Sequence, residues 1–407
     1  MSLRERFEIT SGFRMWSRGL IGVGVLSLII GFFVYGTGDD AHQAKFWGVL
    51  LHNSIYFLMV TNAVMFFFAA TTLAMAGFQI SFKRVTEAIA ACVPVIGTIT
   101  FIILLIIVFG HKSMIYEWLD KTKVAKDAAL SGKRGFLNPG FFMTWTIAAI
   151  GLWSLIGLKM RQISRKSDDH PMSLEEGKKF VFKNTVWAAL FIVWYALTVA
   201  AVIPWLWMMS FAAHWYSTLY SWYIFASTFV AGVALISIFV VYMKNKGYLE
   251  YTNREHLHDL GKFQFAFSIF WTYLWFAQFM LIWYANISEE TIYFKARAEG
   301  AYSGIFFLNL VINFLAPILI YMSTPSKRNY TIVTFMSVAL LFGHWLDFYQ
   351  IVFGSILPDH VTMNLFDFGI AAGFVGIIIF QTGRVMSMYP LLAKNNPFFK
   401  ESIIHYT

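Results

Sequence analysis

The sequence predicts an all-α polytopic membrane protein of about ten transmembrane helices. Three observations lead there. Hydrophobic residues make up 58% of the 407 and charged residues 13%, with a mean hydropathy of +0.62; a soluble domain carries about 25% charge. Apolar runs long enough to cross a hydrocarbon core of roughly 30 Å at 1.5 Å per residue recur along the chain. In one of them the 26 positions between Lys262 and Glu289 hold no charge at all.

Taken in order, the spans are expected at 17–36, 46–77, 86–110, 140–160, 184–208, 213–243, 263–286, 302–322, 330–355 and 362–386. The second and sixth are long, so tilt or emergence from the bilayer is expected there. Pro94, Pro204 and Pro317 fall in or near span ends, where neighbouring helices can satisfy the backbone groups a proline frees. The amino-terminal MSLRERFEITSGFRMW is charged and aromatic and leads into a run long enough to span, so no cleaved signal is expected. Cys92 is the single cysteine, which excludes an intrachain disulfide, a CxxCH haem attachment and a cysteine-ligated iron–sulfur cluster built by this chain alone.

Lys and Arg fix the expected orientation. Nine of the 31 fall on one side of this arrangement and 22 on the other, which places both termini in the cytoplasm. The same asymmetry accounts for most of the net charge of +9, so no nucleic-acid partner is called for. The expected organisation is two four-helix bundles, 1–160 and 184–325, joined by a cytoplasmic linker at 161–183, with a terminal helix pair and tail at 326–407. His52 and His214, each opening a long helix after a short outer connection, hint at an internal repeat. The one long outer segment, 111–139, reads as a short amphipathic helix and a turn, suited to the membrane interface or to docking a peripheral subunit.

An ionisable group at bilayer depth costs roughly 2.5–3.5 kcal/mol even on lenient scales, so each one needs a reason. His344, Asp347 and Gln350 follow one another at i+3 in the ninth span and line one side of a helix, as a proton relay requires. Asp367 in the tenth span is expected at a comparable depth, where it and Asp347 would share a proton. Gln264, Ser268, Trp271, Trp275 and Gln278 share one face of the seventh span, and that face is expected to look into protein. Glu87 follows Lys83 and Arg84 and reads as a charge pair at the headgroups or as part of a proton path. Asn309 and Asn313 share a face of the eighth span and suit interhelical hydrogen bonds. His52 and His214 are placed near the mouth of the path.

Three function classes are compatible with these residues. One is a cofactor-free membrane subunit that conducts protons or stabilises a larger assembly. The second binds redox groups: among His52, His111, His214 and His344 only His52 with His214 fits a bis-imidazole haem, and His214, Trp215 and Tyr220 suit a quinone. The third is a secondary transporter.

One set of motifs narrows the choice. His258-Asp259-Leu260-Gly261-Lys262, Phe270-Trp271-Thr272-Tyr273-Leu274-Trp275 and Met280-Leu281-Ile282-Trp283-Tyr284-Ala285-Asn286-Ile287 followed by Glu289-Glu290 resemble the ActF family of alternative complex III. The resemblance extends to Lys83-Arg84-Val85 with Glu87-Ala88, Phe109-Gly110-His111, the run from His214 to Leu219, and Lys246-Gly247-Tyr248-Leu249-Glu250. It implies an NrfD-like or polysulfide-reductase-like subunit of a quinol:electron-acceptor oxidoreductase in the bacterial inner membrane, delivering electrons to cytochrome c or directly to an oxidase. The implied partners are an NrfD-like paralogue, which is the better candidate for the quinol pocket, an iron–sulfur subunit, multihaem cytochrome c subunits and lipids. Haem and iron–sulfur clusters belong to those partners, and no cofactor is expected on this chain, although it could bind quinone, with menaquinol as a candidate.

Overall fold

The computed structural model describes residues 6–406 and shows helices throughout, with no strand among them. Among the described residues ten helices are long and apolar enough to cross a membrane: Ser11–Gly36, Asp40–Leu73, Lys83–Phe109, Pro139–Asp168, Leu174–Ala212, Tyr220–Asn245, Arg254–Ala285, Ser303–Tyr321, Tyr330–Ile356 and Leu365–Met388. The chain is therefore an all-α, multi-pass membrane protein. An even number of spans returns both ends to one face, called here the terminal face. There the Phe7 amide reaches the Met386 carbonyl at 3.4 Å.

Several helices run past the bilayer limits set by hydropathy, because propensity and capping continue where lipid ends. Ser173 and Glu176 form a capping box that starts the fifth helix at Leu174. The fourth persists to Asp168, so residues 169–173 are all that remains of the expected 161–183 linker. The sixth helix opens at Tyr220 rather than 213. The fifth and eighth spans each contain a π-helical turn, Thr198–Val202 and Val311–Leu315, shortly before Pro204 and Pro317. A wider turn is one way a helix absorbs the missing N–H of a proline.

Two four-helix bundles and a pair are present, but the grouping is shifted by one span from the expected division. Spans two to five close one bundle and spans six to nine the other, while the first span lies along the tenth. The second and sixth spans are the central helices, 83% and 94% buried over their apolar windows, and they carry the contact between bundles. The second is long, at 34 residues, as expected, whereas the sixth, at 26, is no longer than its neighbours. Gly232 makes the contact close: a Cβ there would sit 3.2 Å from Ala63 Cβ and from the Val60 carbonyl.

Glycine also decides the pairing of the first and tenth spans. A Cβ on Gly24 would lie 2.4 Å from Gly373 Cα, and one on Gly373 would lie 2.8 Å from Gly24 Cα. Backbones approach this closely only where both side chains are absent. Gly373→Leu is accordingly expected to cost about 1–3 kcal/mol or more by overpacking, read as a lower unfolding temperature of the purified chain. Gly22→Leu, at a position with open space around it, should not lower that temperature.

The 111–139 segment folds back on the first bundle. Tyr116 and Trp118 are buried, and the Tyr116 hydroxyl donates to the Trp207 carbonyl at 2.8 Å. At the terminal face the tail returns over residues 77–81. Ser402 Oγ bonds the Phe78 carbonyl at 3.0 Å, and His405 meets Asp259 at 2.5 Å.

Candidate functional site

Each helix of the second bundle turns a polar stripe inward, and the four stripes meet on one axis. The seventh span contributes Gln264, Ser268, Trp271 and Gln278, all buried, which places the face expected from the sequence inside the protein. The sixth adds Tyr223, Ser227 and Ser237, the eighth Asn309, Asn313 and Tyr321, and the ninth Ser337, His344, Asp347 and Gln350. At the terminal end Gln264 Nε2 donates to Ser237 at 2.8 Å and to Ser337 at 3.1 Å, while the Tyr321 hydroxyl donates to Gln264 Oε1 at 2.9 Å.

Asp347 is the centre of the axis. Its carboxyl accepts from the Tyr223 hydroxyl, from Trp271 Nε1 at 3.3 Å and from Ser227 Oγ at 3.4 Å. Ser227 Oγ also lies 3.0 Å from His344 Nδ1. A hydroxyl has one proton, so with Asp347 ionised both bonds form together only when His344 donates through Nδ1 and Ser227 donates onward to the carboxylate. That tautomer leaves a lone pair on His344 Nε2, a buried atom with no hydrogen-bond partner among the described residues. Both amide atoms of Asn313, Asn309 Oδ1, Gln350 Nε2 and Ser268 Oγ are unpartnered too. Buried polar atoms are rarely left so, and several in one bundle point to ordered water along it.

Beyond Asp347 the axis widens into a cavity of about 30 Å³ lined by Tyr220, Tyr223, Gln278, Arg297, Asp347 and Gln350 among others. One or two waters fit there. Arg297 closes its outer end. The left-handed backbone of Asn286, φ 48°, ends the seventh span and lets a short helix, Ser288–Ala298, turn back with Arg297 pointing inward. The Arg297 guanidinium donates to the Tyr293 carbonyl at 2.8 Å and to Ser355 Oγ at 2.7 Å, and it lies 3.5 Å from the Tyr293 ring. Trp215 stacks on that ring at 3.8 Å. Burial pushes the Tyr293 hydroxyl above its ordinary range, against the pull of Arg297, so it stays protonated and neutral. Glu289, in the first turn of the same short helix, is exposed to solvent.

His344, Asp347 and Gln350 thus line one side of the ninth span as their spacing suggested, and Gln278 meets Asp347 and Gln350 at the cavity. Asp367 is not with them. It forms a buried ion pair with Lys45, 2.6 and 2.8 Å from Nζ to its two oxygens, so the expected sharing of a proton between Asp347 and Asp367 does not occur. His52 lies on another face of the ninth span, with Nε2 3.0 Å from the Trp345 carbonyl and its ring against Trp345 and Tyr349. His214 is half exposed on the far loop, 3.2 Å from Asp127. The two imidazoles share no surroundings, neither sits at the mouth of the axis, and the bis-imidazole pairing is not formed. Trp215 and Tyr220 do meet, at 5.8 Å, but His214 turns away from them. Glu87 is buried with Arg84 at 2.7 Å and Ser164 at 2.5 Å, and Arg84 reaches Asp168 at 2.5 Å. This cluster closes the terminal end of the first bundle rather than lying at exposed headgroups.

Sequence reasoning missed Tyr223, Ser227, Arg297 and Lys45. Tyr and Ser are ordinary in membrane helices, and the two basic residues were counted with the outer loops. The Tyr293 and Arg297 spacing of i, i+4 was the available signal. No family model matches the chain, and no curated protein does.

Proposed function

We propose that this chain is an ActF-like membrane subunit of a quinol-oxidising electron-transfer complex of the bacterial inner membrane, and that the axis of its second bundle carries protons between Asp347 and the outer face. The observation that supports the proton path best is Asp347 itself. It is a carboxyl 3% exposed, held by donors from two other helices and followed by a water-sized cavity that ends at Arg297. Intramembrane carboxyls placed in this way serve proton relays. Membership of the complex rests on the Trp- and Tyr-rich motifs of the seventh span and the shorter matches around it. The partners are then an NrfD-like paralogue that binds quinol, an iron–sulfur subunit and multihaem cytochromes c.

A quinone held by His214, Trp215 and Tyr220 has less support. The cavity that Tyr220 lines is about 30 Å³, whereas sites for molecules of that size run to roughly 300–1,000 Å³. The test is purification through a tag on this chain in mild detergent, with subunits identified by mass spectrometry and haem by absorption. Recovery with iron–sulfur and multihaem subunits, and no haem on this chain once separated, is the expected result. Recovery as a lone, colourless oligomer would overturn the reading and favour a transporter.

A further inference from the structure

A second, larger space lies away from the polar axis. It is a groove of about 720 Å³ where the two bundles and the paired first and tenth spans meet. Its walls are apolar, and Trp16, Val338, Phe342 and Phe368 on its rim are exposed, so it opens sideways into the region that lipid occupies. One end is deep: Trp345 and Phe368 stack there at 5.4 Å. The other end reaches the terminal face at Thr10, Trp16, Tyr242 and Lys246.

Three features identify what fits. The first is depth. Along the sixth span the lining runs from Leu235 to Lys246, about 17 Å at 1.5 Å per residue, close to the thickness of one leaflet of a ~30 Å core. The second is shape: the groove is apolar along its length and open along one side, which suits acyl chains entering from the bilayer. The third is charge. Among the described residues Lys246 is the only charged side chain in the lining, and no carboxylate lies there. Its Nζ lies 5.8 Å from the Tyr242 ring, and it enters no ion pair among the described residues. Beside it the first span begins, with Thr10 and Gly12 in the lining, and a helix start carries partial positive charge. Trp16 and Tyr242 mark the same level as the headgroup region.

We infer that this groove is a binding site for an anionic glycerophospholipid of the leaflet at the terminal face, its acyl chains between the bundles and its phosphate at Lys246 and the start of the first span. An isoprenoid quinone has a comparable tail but a neutral head, which can accept a hydrogen bond from Lys246 but offers no charge to pair with it. Such a lipid would join the first and tenth spans to the second bundle at a seam where protein packing leaves a gap.

The test uses the full chain in nanodiscs of equal parts phosphatidylglycerol and phosphatidylcholine, then release and mass spectrometry of tightly held lipid. Phosphatidylglycerol is expected to be retained preferentially. Lys246→Gln, at an exposed position that does not threaten folding, should lower that preference about fivefold, the value of roughly 1 kcal/mol per basic residue at an anionic surface. Ile238→Trp, which fills the groove, should reduce retained lipid of both kinds while helical circular dichroism is unchanged. Equal retention of the two lipids by the unaltered chain, or a preference indifferent to Lys246→Gln, would overturn the inference, as would a quinone recovered in place of lipid.

Discussion

Asp347→Asn is expected to lower proton release at the outer face by roughly two orders of magnitude, the lower end of what a positioned proton-transferring group contributes. The reasoning starts from what the substitution keeps. Asn has the size of Asp, its Oδ1 still accepts from Tyr223, and its amide can donate to Ser227 Oγ, so packing of the sixth, seventh and ninth spans survives. Trp271 Nε1 loses an acceptor, at a cost of about 1–3 kcal/mol, which leaves the chain folded and assembled. What is lost is the one group at this depth of the axis that can take up and release a proton. Asp347→Glu retains that group one methylene further out and should recover part of the flux. The measurement is acidification per quinol oxidised by the whole complex in proteoliposomes, followed with a pH-sensitive dye. Unchanged release in Asp347→Asn would show that the carboxyl only fixes the packing of Tyr223 and Trp271.

The ten spans were legible because length and hydropathy alone determine them, and so was the inward face of the seventh, whose polar residues repeat at three and four. Azimuth was not legible. Asp347 and Asp367 were expected at comparable depths, yet depth says nothing about which way a helix turns them, and through Lys45 Asp367 meets the ninth span at Phe353 rather than at Asp347. Asp367 is held towards the second span by its capping box with Asn364 and by Lys45. Lys45 itself was read as a loop charge because the second helix starts at Asp40, well before its apolar run, and so carries Lys45 inside. The bundle grouping failed for a related reason. What pairs the first span with the tenth is the meeting of Gly24 with Gly373, and an absent side chain leaves no mark in hydropathy. His214 was assigned to a helix start, whereas residues 213–219 form an irregular outer turn that leaves its ring in solvent with Asp127.

Asp367→Asn is expected to destabilise the chain more than any other single change considered, by about 3–5 kcal/mol, because it leaves the Lys45 ammonium buried and unpaired. In the intact pair, Nζ reaches both carboxyl oxygens, the Asn364 amide donates to Oδ2 at 2.9 Å, and the Phe353 ring lies 4.6 Å from the ammonium. Side-chain exposure is 4% for Lys45 and 0% for Asp367, so neither group can recover its hydration by small movements. Lys45→Met should cost less, since the stranded carboxylate keeps the Asn364 amide and the start of the tenth helix. The double variant removes both charges and should cost less than the two single changes added together, by about 2 kcal/mol or more. Denaturant unfolding of the four proteins in one detergent supplies the cycle, and additivity within about 0.5 kcal/mol would show that the charges do not depend on each other. Since the pair fastens the second span to the tenth and lies off the axis of the second bundle, Asp367→Asn complexes that do assemble should release protons as the unaltered complex does. The two carboxyls thus separate by experiment into one that holds the fold and one that serves the path.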